Sequence, residues 1–165
     1  MLGQAIEALH RFGFREFEGW FTVFLAEAHR VGGDLDEAEE LAARALQITG
    51  QAKFRTGVGW AHHALGRIAQ ARGDLGTAES RLEEALRIFG SVHSRYELAR
   101  THVDLAAVTH ARGDREVSAR HFGEAYRLFE TLRISRYLQR VEQLAGELGV
   151  PLPPLSKRGA IRGSG

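Results

Sequence analysis

The strongest constraint in this chain is a period. Gly-Asp stands at Gly33-Asp34, Gly73-Asp74 and Gly113-Asp114, 40 residues apart both times. The register runs well beyond that dipeptide. Leu25, Leu65 and Leu105 align, each followed by a small residue, Ala26, Gly66 and Ala106. Ala38, Ala78 and Ser118 come next, then Ala45, Ala85 and Ala125, while Arg15, Arg55 and Arg95 share a phase and Trp20 stands above Trp60. A fixed period of this length means that one supersecondary unit is repeated, and that successive copies bury each other's apolar faces.

Within a unit the apolar spacing is helical. Ala61, Ala64, Leu65, Ile68 and Ala69 mark one face of a helix, and Ala78, Leu82, Ala85, Leu86 and Phe89 mark a face of the next. Between them Gly73 can close a helix in the left-handed conformation, and Asp74 can accept the orphan amides that open the following one. Asp34 with Glu37 has the spacing of a capping box. Glu40 with Arg44 and Glu83 with Arg87 have that of i,i+4 ion pairs. The expected fold is all-α: antiparallel helical hairpins stacked as a right-handed superhelix, with units over 15–50, 51–90 and 91–131. Gly66 and Ala85 are expected where the two helices of a hairpin cross.

Outside the three units, Ala5 and Ile6 lie 40 residues before Ala45 and Leu46. Residues 1–14 are therefore expected to be the second helix of a truncated unit, the chain starting in mid-hairpin as a fragment of a longer array would. Leu138, Val141, Leu144, Ala145 and Leu148 predict a capping helix within 132–149. Beyond it, Gly149 and three prolines stop helix formation, and 150–165 is expected to be a mobile tail.

Leu65-Gly66 followed by Ala78, Leu82 and Ala85, with Gly73-Asp74 as the hairpin turn, resembles the tetratricopeptide repeat family over about residues 15 to 130. The period of 40 departs from that family's usual 34, and Gly50 and Gly90 stand where a proline usually closes the unit. Long units of this style are similar to the C-terminal sensor regions of large bacterial signalling proteins, nucleotide cyclases and ATP-dependent transcription activators among them. The resemblance implies a regulatory protein-interaction module, with a small-molecule sensor as the alternative.

Composition excludes several chemistries. The absence of Cys removes disulfides, thiol nucleophiles and Cys-based metal sites. Lys+Arg is 22 against Asp+Glu 21, so no global field attracts nucleic acid, and the basic tail residues Lys157, Arg158 and Arg162 have no aromatic neighbours to stack bases. No apolar run has the ~20 residues of a membrane span, and charges interrupt the N-terminus where a signal peptide would be apolar. The expectation is a cytoplasmic protein. Lys occurs only at Lys53 and Lys157, in no phosphate loop, and the serines sit in no nucleophile elbow. His62 and His102, one period apart, are expected to be packing residues a layer apart, and no metal ligand set, cofactor site or catalytic centre is expected.

Binding has more support, because stacked hairpins leave a concave face lined by the first helix of each unit. Carried over from the resemblance, the groove takes Trp20, Val23, Glu27 and Arg30 from the first unit, and Trp60, His63, Arg67 and Gln70 from the second. Arg100, Val103, Ala107 and His110 come from the third. Val23, Glu27 and Asp104 stand where the carboxylate-clamp subtype has Lys and Asn, so chaperone-tail binding is disfavoured. Trp60 beside Arg67 and Arg100, both expected as exposed charges, suggests a partner peptide with acidic and apolar residues. Five of the nine phenylalanines fall within residues 12 to 24. With Ile6 and Leu9 they form a candidate homodimer interface, Phe12 and Phe14 included, two orphan helices covering each other.

Overall fold

The computed structural model describes residues 2–154, so the basic residues at 157, 158 and 162 and most of the expected tail lie outside the described residues. Eight helices follow one another among the described residues: α1 (Leu2–Arg11), α2 (Arg15–Gly32), α3 (Leu35–Gln51), α4 (Arg55–Ala71), α5 (Leu75–Ser91), α6 (Arg95–Ala111), α7 (Arg115–Leu132) and α8 (Ser135–Glu147). The closest pairs are α2 with α3, α4 with α5 and α6 with α7, three hairpins; α3 with α4 and α5 with α6 join one hairpin to the next. The result is an all-helical solenoid. The residues beyond a 34-residue period lengthen the helices, since the turns keep only two or three residues. None of the described helices is long and apolar enough to cross a membrane.

Small residues set the spacing between helices. A Cβ on Gly66 would stand 2.7 Å from Leu82 Cγ and 3.2 Å from the Ala78 carbonyl oxygen, so α4 and α5 cross too closely there for a side chain. Ala38, Ala45, Ala78, Ala85, Ala106 and Ala125 are fully buried at the matched positions. Close-packed contact of this kind leaves little room for a larger residue.

Two kinds of turn alternate. Inside each hairpin, Gly33, Gly73 and Gly113 take φ between 82° and 90°, and the amide of the following Asp bonds back to the helix it leaves, as Asp74 N–H does to Ala69 O at 2.9 Å. The Asp carboxylate then caps the next helix: Asp74 accepts from Thr77 N at 3.0 Å and Asp114 from Val117 N at 3.1 Å. Asp34 accepts from Glu37 N at 3.4 Å. Between hairpins the left-handed position falls instead on Lys53, His93 and Arg133, with φ of 55° to 57°, and Phe54, Ser94 and Ile134 cap nothing with their side chains. Gly50 and Gly90, read as closing the units, lie inside α3 and α5.

Other local expectations change. Arg87 pairs with Glu84 at 2.5 Å, and Arg44 reaches Glu18 at 3.7 Å, so the ion pairs expected with Glu83 and Glu40 give way to partners one turn or one helix away. Glu18 is 1% exposed, its carboxylate met by His10 at 3.2 Å and Arg15 at 3.0 Å. This cluster ties α1 to the ends of α2 and α3. At the far end Val150, placed by sequence in the tail, is buried with Phe122, Phe129 and Val141, because its amide still bonds to Ala145 O at 2.8 Å and returns the chain to the core.

Candidate peptide-binding groove

The candidate groove is the one expected along the first helices α2, α4 and α6, and α8 extends that row. Ser135 lies 40 residues after Arg95, so α8 takes the place that a fourth unit's first helix would have. At the N-terminal end Trp20 and Trp60 are half-buried, with ring centroids 6.4 Å apart, Trp20 edge-on to Phe24 and Trp60 to Phe54. Their packing partners are aromatic, and the exposed part of each ring is what a ligand could touch.

Next comes a ladder of charge. Glu27 accepts from Arg30 Nε at 3.2 Å and from Arg67 Nη1 at 2.8 Å. Asp104 stands 2.7 Å from His63 Nε2 and 3.9 Å from Arg67 Nε. Burial pushes the Asp104 carboxyl up, but the His63 hydrogen bond and the charges of His63, Arg67 and Arg100 outweigh it and hold the group below the usual carboxylate range. Arg67 is thus half-buried and already paired, not the exposed charge read from sequence. Val23 and His63 are buried, at 9% and 5% exposure, and present no surface to a ligand. The family resemblance fixes which face a residue occupies but not how deep it sits, and both side chains lie beneath the groove. Gln70 and His110 are half-buried on the same helices, and the His110 Nδ1 has no protein partner.

The ladder opens into a cavity of about 310 Å³ between α4, α6 and α8. Arg67, Arg100, Arg140 and Asp104 line it beside Val103, Phe129, Tyr137, Val141 and Leu144. Arg100 bonds Glu97 at 3.1 Å and lies over the Tyr96 ring at 5.7 Å, whereas Arg140 bonds the neutral Gln143 at 3.2 Å. The Tyr96 and Tyr137 hydroxyls are 2.5 Å apart, and burial together with that hydrogen bond pushes the Tyr96 phenol up to about 12. Tyr137 and Arg140 escaped the sequence reading, although Arg140 stands one period after Arg100 and Tyr137 nearly one after Tyr96. Continuing the register past the third unit would have found them.

Residues 20–91, covering the first two hairpins, match the model of the tetratricopeptide repeat. That stretch carries tetratricopeptide repeats. No curated protein matches the chain. Tetratricopeptide repeats generally mediate protein–protein contacts, and the third hairpin carries the same 40-residue register beyond the matched residues.

Off the groove, His62 and His102 stand one period apart in a second row. His62 lines a hollow with Arg81, Glu84 and Arg87. One period later His102 Nδ1 lies 2.9 Å from His121 Nδ1, a contact within one hairpin and not between layers. Burial lowers the His102 imidazole to about 4, with the nearby His121 adding to it, and burial lowers His121 as well. No three His, Asp or Glu side chains converge as a metal site among the described residues. Of the residues read as a dimer interface, Ile6 is 4% exposed and turned into the protein, Leu9 is half-buried, and Phe12 and Phe14 are 72% and 55% exposed.

Proposed function

We propose that the groove binds a peptide or extended partner segment carrying acidic and apolar residues, in the regulatory part of a cytoplasmic signalling or transcription-regulating protein. The observation that carries this reading is the cavity at the end of the groove. Its floor is apolar and aromatic, and of its three guanidinium groups that of Arg140 has only a neutral partner. An acidic side chain fits the arginines in the two-pronged way that guanidinium favours, and an adjacent apolar residue fits Val103 and Leu144.

The test is fluorescence anisotropy with labelled acidic-apolar peptides and their neutral counterparts. The acidic set should bind more tightly, weaken with salt, and lose about tenfold or more in affinity on Arg140→Glu. Arg140 is exposed, so the melting temperature should stay where it was. Equal binding of both sets, or no effect of the substitution, overturns the reading. The cavity volume also supports a small anionic molecule as ligand, since it lies at the lower end of small-molecule sites. A thermal-shift panel of metabolites beside the peptides separates the two.

A further inference from the structure

Continuing the 40-residue register through α8 puts four side chains at one position of four successive helices: Trp20 on α2, Trp60 on α4, Arg100 on α6 and Arg140 on α8. Along this row the chemistry changes once, at its middle, from indole to guanidinium. Trp60 is only half-buried although α2 packs before it and α6 after it, with Phe54 edge-on and Trp20 at 6.4 Å, so the position keeps an open edge inside the stack. Arg100 and Arg140 line one cavity beside Val103, Phe129 and Leu144. Arg100 donates to Glu97 from Nη1 at 3.1 Å, which occupies one of its five N–H groups. Arg140 is exposed and bonds the neutral Gln143. The charges of α4 are instead met within the protein, Arg67 by Glu27 at 2.8 Å and His63 by Asp104 at 2.7 Å. The aromatic half of the row is therefore electrically quiet, and the charge offered to a ligand stands on α6 and α8.

We infer, resting on the groove reading above, that the ligand is an extended peptide read in one order: an aromatic or large apolar side chain against the indoles, then an acidic side chain on Arg100 and a second on Arg140. Indole edges suit an apolar anchor, and a guanidinium fork suits a carboxylate. The repeat also sets the interval between them. Neighbouring helices stand roughly 10 Å apart, and an extended chain advances about 3.3 Å per residue. One step along the row thus takes about three residues, so the acids belong about three and six residues from the residue on Trp60. A peptide with the same side chains crowded together can reach the indoles or the two arginines, but not both at once.

Two labelled peptides of one composition, each made in both chain directions, test the order. In the first a phenylalanine has glutamates three and six residues away; in the second the glutamates stand beside the phenylalanine. Fluorescence anisotropy with the full chain should show the spaced peptide binding about tenfold more tightly in one of the two directions. Arg100→Glu should lose that affinity and regain it from a lysine at the third position, and Arg140→Glu from a lysine at the sixth, neither being rescued by the other's lysine. A variant that merely loosens the fold gains from neither. Trp60→Ala should weaken the spaced peptide about fivefold, yet leave unchanged its counterpart with alanine in place of phenylalanine. Equal binding of the spaced and crowded peptides, or rescue of an arginine variant by either lysine alike, overturns the order while leaving the groove reading intact. If neither peptide binds better than its glutamine counterpart, that reading falls and the order falls with it.

Discussion

At its C-terminal end the solenoid lays Val141, Ala145 and Val150 into the core against Phe122 and Phe129, and ties α7 to α8 by a hydrogen bond from the Tyr126 hydroxyl to Glu142 at 2.5 Å. At its N-terminal end α1 is held by the buried Ile6 and by the ions around Glu18, and Phe12, Phe14, Phe17 and Phe24 are more than half exposed. An apolar closure consumes the surface it covers. An ionic one fixes a helix in place while leaving the neighbouring apolar face for use. Among the described residues the apolar face beside α8 is covered, and that of α2 is open.

Opposite substitutions at the two ends test that difference most strongly. Val141→Asp buries a charge at a position 1% exposed and should destabilise by about 3 kcal/mol or more. Phe24→Asp should cost only about 1 kcal/mol, the loss of a half-exposed ring and its edge-on contact with Trp20. Urea denaturation measures both, and similar losses at the two ends would remove the distinction.

Acid gives a smaller effect; the shift is large at His102 in the third hairpin, while burial lowers His62 in the second as well. His102 is held to about 4 when folded, by burial and then by His121, against an ordinary value near 6.5 in the unfolded chain. The unfolded state binds more protons between those values. Stability is therefore complete above about pH 6.5 and falls as pH drops towards 4, by about 1–2 kcal/mol once partial exposure is allowed for. His102→Gln should flatten the melting temperature over that window. The equivalent position in the first hairpin is Thr22, which has no such proton to bind.

Glu18→Gln should cost about 1 kcal/mol, because His10, Arg15 and Arg44 are partly exposed and water replaces their lost partner. The loss should shrink at high salt, while a Val141 variant should show no such rescue. A salt-independent loss would make Glu18 a packing residue instead of the centre of an ionic latch.

The hairpins were legible because Gly-Asp reports two physical needs at once, a left-handed residue and a cap. The turns at Lys53, His93 and Arg133 carry no such signal; ordinary residues are held left-handed by the helices on either side, and only the register marks them. Glu18 was illegible for a related reason. It stands where the later units have Val58 and Leu98, and its partners arrive from α1 and α3 through packing that no local pattern records. Of the residues read as a groove, Trp20, Trp60, Glu27, Arg67 and Arg100 stand on α2, α4 and α6 as the register requires, but depth and pairing came from tertiary structure. That is why Val23 and His63 sank below the surface and Arg67 acquired Glu27.

Between successive helices from α1 to α8 the left-handed residues fall at 13, 33, 53, 73, 93, 113 and 133, every 20 positions, with Gly149 following α8, while the pattern of buried side chains recurs only every 40. Adding one helix and its turn would keep every turn in step, yet would set a second-helix pattern where a first belongs and turn core residues to water. Adding two would leave every face where it is. Such a chain counts in pairs: its length is free to vary between relatives or in the hands of a designer, but only in even numbers of helices, and each added pair lengthens the concave wall by one more helix without disturbing either end.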